Sequence, residues 1–270
     1  MQTRLNSHPI VFVCVVLTCG AVAAPRPAAS QTLSTNGTGS SNAVQSEWHE
    51  TASFRGLFGQ TAGDFRRLVT SKDSAVIMAI GGVAAAVGHA GDQHLSSTMS
   101  GARGLEGVFG PGEPIGSARM QAAGALAAYT VGRLTSNSTV TQIGADLIRA
   151  QIVTQTLTLA VKTAVGRTRP DGTQYSFPSG HAAVTFASAT VLQRHLGWKA
   201  GVPAYAVASY VAASRIQTKR HYLSDVTFGA ALGIVGGRSV TIGRGSHRFA
   251  LAPSAVPGGG GISLAWVGRN

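Results

Sequence analysis

Cysteine is nearly absent: the 270-residue chain has two, Cys14 and Cys19, both inside its N-terminal apolar run. That excludes a disulfide framework or a cysteine-held zinc from the rest of the protein. Acids are scarce too, with 10 Asp+Glu against 22 Lys+Arg. Charged residues of both signs make up only 12%, where about a quarter is usual. Aromatics are 6% and do not interleave with a basic run. No stacking platform results, and no nucleic-acid partner is expected. Long hydrophobic runs are also missing. The best, Ser74–Gly91, is 18 uncharged residues rich in Ala and Gly, short of the ~20 strongly apolar residues a membrane span takes. What remains is 44% apolar with 35 glycines, too apolar for a disordered chain and without a collagen period. The net charge of +12 directs attention to a phosphate-bearing substrate or an anionic membrane surface.

Residues 1–30 have the layout of a secretory signal: Arg4 without an acid, the uncharged run Ile10–Ala24, then small residues around Pro25. An uncleaved anchor is the weaker reading, because the run is short for a bilayer. Cleavage near Ala21–Ala24 or Ala28–Ser30 leaves a basic, thiol-free chain suited to an oxidising periplasm. Residues 31–45 are Ser, Asn, Thr and Gly with little apolar content, a linker.

The body, 46–239, reads as all-α. Six apolar stretches lie near Ser74–Ala90, Ser117–Leu134, Ile143–Val165, Gly180–Leu196, Ala200–Ser214 and His221–Gly237. Breaks at Gly110–Gly116, Arg169–Phe177 and Gly197–Gly201 separate them, which predicts a six-helix bundle. The third stretch carries Asp146, Arg149, Gln151 and Gln155, expensive in hydrocarbon. With the export signal, this favours a periplasmic or envelope bundle, soluble or bound at a membrane surface. The tail, 240–270, changes to short runs around Gly258–Gly261, a β-hairpin pattern. Nothing in the pattern specifies an oligomeric state.

Three segments concentrate phosphate-binding side chains at helix ends: Lys162 to Pro170, Phe177 to His181, and Ser214 to Asp225. The first closes the third helix, the second opens the fourth, and the third joins the fifth to the sixth. In an up-and-down bundle these termini share one end. Lys162, Arg169, Ser179, Gly180, His181, Arg215 and His221 then converge. The N–H groups of Ser179, Gly180 and His181 are first-turn donors that, with the helix dipole, make an anion site. Arg169 and Arg215 grip phosphoryl oxygens as forks, with Lys162 as a point charge. His221 and Asp225 are spaced i, i+4 on one expected helical face. The carboxylate would accept from one imidazole nitrogen and leave the other as nucleophile, while His181 protonates the leaving oxygen. Such a site needs no metal, because clustered cations stabilise the equatorial oxygens.

The pattern Lys-x6-Arg-Pro, Pro-Ser-Gly-His, Ser-Arg-x5-His-x3-Asp resembles the three-part signature of the type 2 phosphatidic acid phosphatase (PAP2) superfamily. That superfamily includes lipid phosphatases, bacterial acid phosphatases and vanadium haloperoxidases. All three parts match, and the resemblance covers roughly residues 70–240. It implies a helical core and a phosphoric ester hydrolase acting on a phosphomonoester or pyrophosphate, lipid-linked or soluble. It also implies that His221 is a phosphohistidine nucleophile, Asp225 its orienter and His181 the general acid. Lys162, Arg169, Ser179, Gly180 and Arg215 would hold the phosphate. A vanadate-dependent haloperoxidase and a basic anionic-lipid or nucleic-acid binder are the competing functions.

Taken singly, the residues have bland readings. Lys162, Arg167 and Arg169 suit a helix C-terminus, Ser179 is an ordinary cap, and His221/Asp225 is a surface pair. Those readings do not predict all three motifs at one end of the bundle. Arg167, Lys219 and Arg220 fall in spacers and are assigned to the pocket rim or to substrate steering. His89, Asp92 and His94 suggest a metal site less well than the end of the first helix, since no further ligand is evident.

Overall fold

The computed structural model describes residues 54–101, 104–241, 247–256 and 259–268. The expected signal (1–30) and linker (31–45) lie outside the described residues. In chain order the helices are α1 (Phe54–Thr70), α2 (Lys72–His89), α3 (Asp92–Gly101), α4 (Leu105–Phe109) and α5 (Gly112–Gly116). They continue as α6 (Ala118–Leu134), α7 (Ser138–Val165), α8 (Gly180–Leu196), α9 (Trp198–Gln217) and α10 (Leu223–Val240). Strands β1 (His247–Val256) and β2 (Gly259–Gly268) pair antiparallel, Leu251 opposite Leu264.

The body is all-α, and each of the six apolar stretches is a helix: α2 and α6 to α10. The expectation of six falls short because α1, α3, α4 and α5 are helical as well. The reason is visible in α1 and α3, which are amphipathic rather than apolar throughout. In α1 the residues Leu57, Phe65 and Leu68 turn inward between arginines and glycines that dilute the signal. In α3 the apolar residues that pack inward are Leu95 and Met99, one turn apart, beside the buried Asp92 and Ser96. The break expected at Gly110–Gly116 ends in the turn of α5.

Local chemistry sets the ends. Asn137 caps α7 by accepting from the Val140 N–H at 3.0 Å, and Ser117 caps α6 through Met120 at 3.2 Å. Gly166, at φ 61°, closes α7 in the left-handed region that favours glycine.

The packing that positions the site is between α8 and α10. Gly229, Gly233 and Gly237, one turn apart on α10, face the carbonyls of Ser179, Ala183 and Ala187, one turn apart on α8. A Cβ on Gly233 would stand 2.1 Å from the Ala183 oxygen, so only glycine permits this approach. The two backbones therefore run nearly in contact, and the starts of both helices are brought together. Behind them, Leu147, Ala150 and Val153 of α7 meet Ala187 and Val191 of α8 in an apolar core.

A buried ionic knot ties the far side of α7. Arg149 donates to both oxygens of Asp64 at 2.7 and 3.0 Å, to Asp146 at 3.1 Å and to the Val240 carbonyl at 2.9 Å. The polar residues of α7 noted in the sequence thus include an Arg and an Asp that face protein. Among the described residues, no single helix is long and apolar enough to cross a membrane. One bent pair, Gly59–Thr70 with Lys72–His89, meets that test jointly across a 64° break.

Candidate functional site

Three chain segments meet where α7 ends and α8 and α10 begin. The loop after α7 folds back on itself: the Ser176 N–H donates to the Arg167 carbonyl at 2.7 Å, and the Arg169 N–H to the Thr173 carbonyl at 2.7 Å. A cis peptide joins Phe177 to Pro178. The turn after α9 is held by the Arg215 carbonyl, which accepts from the N–H groups of Arg220 at 3.0 Å and His221 at 3.1 Å. Ser179, at the N-cap of α8, donates its N–H to the Asp225 carbonyl at 2.9 Å and accepts from Ala182 on its hydroxyl at 3.4 Å. That contact corrects the expected set of anion donors. The Ser179 N–H is already used, and Gly180 and His181 are the first-turn donors that remain.

His221 is buried, and its Nδ1 lies 2.7 Å from the Ser176 carbonyl oxygen. A carbonyl only accepts, so Nδ1 carries the proton and Nε2 of the neutral ring keeps its lone pair. Two sequence expectations change here. His221 lies before α10 rather than on it, so the i, i+4 helical-face argument does not hold. Asp225 Oδ2 stands 3.7 Å from Nδ1, beyond a hydrogen bond. The backbone of Ser176 therefore fixes the tautomer, and Asp225 supports the ring by charge. Ser176 was not singled out from the sequence, because a backbone carbonyl leaves no residue-type signature.

Asp225 is fully enclosed. Its Oδ1 accepts from Arg167 Nη1 at 2.8 Å, and its Oδ2 accepts from the Tyr222 N–H at 2.8 Å and from the Ser176 hydroxyl. Burial opposes its charge, but the His221 ring and the donors Ser176, Tyr222 and Arg167 outweigh burial and hold its carboxyl below the ordinary range.

Around His221 stand the cations. Burial, together with Arg169, lowers Lys162 to about 8, and its Nζ donates to the Tyr175 carbonyl at 2.7 Å. Burial lowers His181 to about 4, with Arg215, His221 and Lys162 adding repulsion and Glu113 opposing it. His221 is likewise lowered to about 4, chiefly by burial, with Asp225 opposing and Lys162 and Arg169 reinforcing. These mutual influences place Lys162, Arg169, His181, Arg215 and His221 in one electrostatic neighbourhood. Gly180 belongs to it by contact, since a Cβ there would lie 4.0 Å from Lys162 Cε.

Arg215 is 2% exposed, and its Nε and Nη1 have no hydrogen-bond partner among the described residues; Arg169 Nε is in the same condition. Glu113, on α5, stands 3.3 Å from Arg215 Nη1 as an ion pair without closing a hydrogen bond, and Arg215 holds its carboxyl below the ordinary value. Glu113 went unnoticed in the sequence because it sits in a stretch read as a break.

One spacer assignment is corrected. Arg167 does not face the rim: it bridges Asp225 and Asp92, whose Oδ2 it reaches at 2.8 Å, and lies 4.3 Å over the Tyr222 ring. Arg220 is tied to Asp171 at 2.9 Å. Asp92 opens α3 instead of ending α2, and both its oxygens are taken by Ser224 and Arg167.

Comparison with known proteins bears on the same segment. The profile of the PAP2 superfamily matches residues 140–245. Lipid A 1-phosphatase of Porphyromonas gingivalis is 48% identical over 82 residues, 29% of this chain and 18% of that protein. Decaprenylphosphoryl-5-phosphoribose phosphatase of Mycobacterium tuberculosis is 36% identical over 107 residues, 36% of this chain and 59% of that protein. The chain thus spans less than two thirds of the length of these relatives. The crystal structure of Aquifex aeolicus LpxE superposes with a TM-score of 0.47 at 23% identity, covering 55% of this chain and 93% of that one. All three spaced motifs fall within residues 140–245, the stretch that matches the PAP2 superfamily profile.

Proposed function

We propose that this protein is a phosphatase that hydrolyses a lipid phosphate through a phosphohistidine on His221. One observation carries the reading: His221 is buried with its Nδ1 proton committed to the Ser176 carbonyl, which leaves Nε2 with its lone pair on a ring that feels the charges of Lys162 and Arg169 and interacts with His181. Nε2 attacks phosphorus in line, and the bond from phosphorus to the ester oxygen breaks. The leaving oxygen takes a proton from His181. Water then attacks the phosphorus and gives a proton to His181 while the bond from phosphorus to Nε2 breaks, so that inorganic phosphate leaves and His221 is regenerated. Arg215 and Arg169 supply buried donors to the equatorial oxygens, and the Gly180 and His181 N–H groups add the field of the α8 N-terminus.

A lipid substrate is supported by the names of both relatives, each a phosphatase of a lipid phosphate. It is supported also by the surface. Ile80, Val83 and Val87 of α2 are 64%, 66% and 74% exposed, and Trp198 and Val202 of α9 are exposed too, an apolar load suited to a membrane-associated envelope enzyme. The test is hydrolysis of a lipid phosphate in mixed micelles beside p-nitrophenyl phosphate, in EDTA, with vanadate as inhibitor. Turnover that persists in His221→Ala would end the proposal. A higher kcat/KM on the soluble ester than on the lipid would end its lipid part.

A further inference from the structure

The start of α10 is held by a carboxylate from another helix. Tyr222, at the N-cap position, has no side chain suited to accept from the first turn. Asp92, buried on α3, takes over: its Oδ1 accepts from the Ser224 N–H at 2.9 Å and its Oδ2 from the Ser224 hydroxyl at 2.6 Å. Arg167 lies between Asp92 and Asp225, giving Nη2 to Asp92 at 2.8 Å, and Nη1 to Asp225 at 2.8 Å and to the Ser224 hydroxyl at 2.7 Å. Its guanidinium is stacked on Tyr222, so the fork has little freedom to turn. Asp92 also accepts from His89 Nδ1 at 2.9 Å.

We propose that Asp92 and Arg167 are positioning residues for the nucleophile, a two-residue anchor that sets both the place and the effective charge of the Asp225 carboxylate beside His221. The inference rests on the phosphohistidine reading and adds to it residues outside the three motif positions. Its logic is electrostatic as well as steric. Arg167 is shared between two carboxylates, so it neutralises Asp225 only in part and leaves charge to favour the protonated, and therefore the more basic, His221 ring. The other charged groups facing His221 are Lys162 from α7, Arg169 from the following loop and His181 from α8. Asp92 itself is faced by Arg167 and His89.

The two partners then have opposite effects on one observable. Removing the Asp92 charge leaves Arg167 wholly on Asp225, so His221 holds a proton less well and the acid limb of kcat/KM moves to lower pH. Removing the Arg167 charge frees Asp225, and the limb moves to higher pH. Asp92→Asn and Arg167→Gln are to be assayed with p-nitrophenyl phosphate across the acid range, beside Arg167→Lys and His221→Ala. Each neutralising variant is expected to lower kcat by roughly 10- to 100-fold, with KM and vanadate inhibition changed less than about threefold. Limb shifts of about half a pH unit in opposite directions are expected. Arg167→Lys, which keeps the charge, should hold the limb in place and recover part of kcat.

Limbs that move the same way, or lower activity with an unshifted limb in both variants, would overturn the anchor and leave Asp92 a structural cap. If Arg167→Gln does not fold, the direction of the Asp92→Asn limb and the fixed limb of Arg167→Lys decide between the same alternatives. His221→Ala separates the two levels. If it is dead while the anchor variants behave as wild type, only this inference falls. If it is active, the parent reading falls.

Discussion

Arg215 offers the sharpest test of the site, because stability and activity should respond to it in opposite ways. The side chain is 2% exposed, and its Nε and Nη1 lack hydrogen-bond partners among the described residues. A buried donor left unpaired costs roughly 1–3 kcal/mol. The ligand-free fold therefore gains little from this arginine, and a methionine of similar length should leave the melting temperature unchanged or a few degrees higher. Function should suffer. A phosphoryl group that takes both donors gains about 1.5–3 kcal/mol for each charge-assisted bond. Arg215→Lys keeps the charge but loses the fork; one bond lost lowers kcat/KM roughly 10- to 150-fold. Arg215→Met should lose more. Thermal melts with and without vanadate give the second readout. A ligand present at 100 times its Kd stabilises by about 2.7 kcal/mol, or roughly 5–10 °C for a domain of this size; that increment should vanish in Arg215→Met. The reasoning is refuted if Arg215→Lys hydrolyses p-nitrophenyl phosphate within threefold of wild type. A ligand-free Arg215→Met that melts many degrees lower would refute it equally, making the arginine a strut.

Further outcomes follow from the same geometry. His181 and His221 both titrate near 4 against an ordinary 6.5; the unfolded chain binds more protons between those values, so stability should fall as pH drops from about 6.5 to 4. Melts across that window should show uptake approaching two protons, reduced in His181→Ala, and a bound phosphoryl dianion should carry the basic limb of kcat to higher pH than that of kcat/KM. Arg149→Met leaves Asp64 and Asp146 partly uncompensated, although Arg67 and His195 still reach them. A loss of about 3 kcal/mol, or roughly 6–12 °C, is expected in calorimetry, with kcat retained in the cold. Gly233→Val drives a side chain into the Ala183 carbonyl and should lower both melting temperature and activity. Gly82→Ala on α2, where a Cβ meets nothing within 4 Å, should instead stabilise by roughly 0.5–1 kcal/mol.

What the sequence disclosed and what it hid divide along a physical line. The helices that are apolar on most faces announce themselves by composition, which is why α2 and α6 to α10 were legible. Side chains whose type suits an anion, such as Lys162, Arg169 and Arg215, announce themselves by chemistry. What stayed hidden works through backbone or through charge sharing across the fold. The Ser176 carbonyl that sets the His221 tautomer has no residue signature. Asp92 and Ser224 are 132 positions apart, so no local spacing links them. Arg167 was assigned to the rim or to steering because it falls in a motif spacer, whereas two buried carboxylates claim it. Here the cations split into two layers by their partners. Arg169 and Arg215 keep unpaired buried donors, while Arg167 has its fork filled by Asp92 and Asp225. The fork of Arg167 is filled by two buried carboxylates, whereas Arg215 meets one exposed carboxylate, Glu113, without closing a hydrogen bond. Under the proposed function, Arg167 therefore shapes the nucleophile, and Arg169 and Arg215 have donors left for the phosphoryl group.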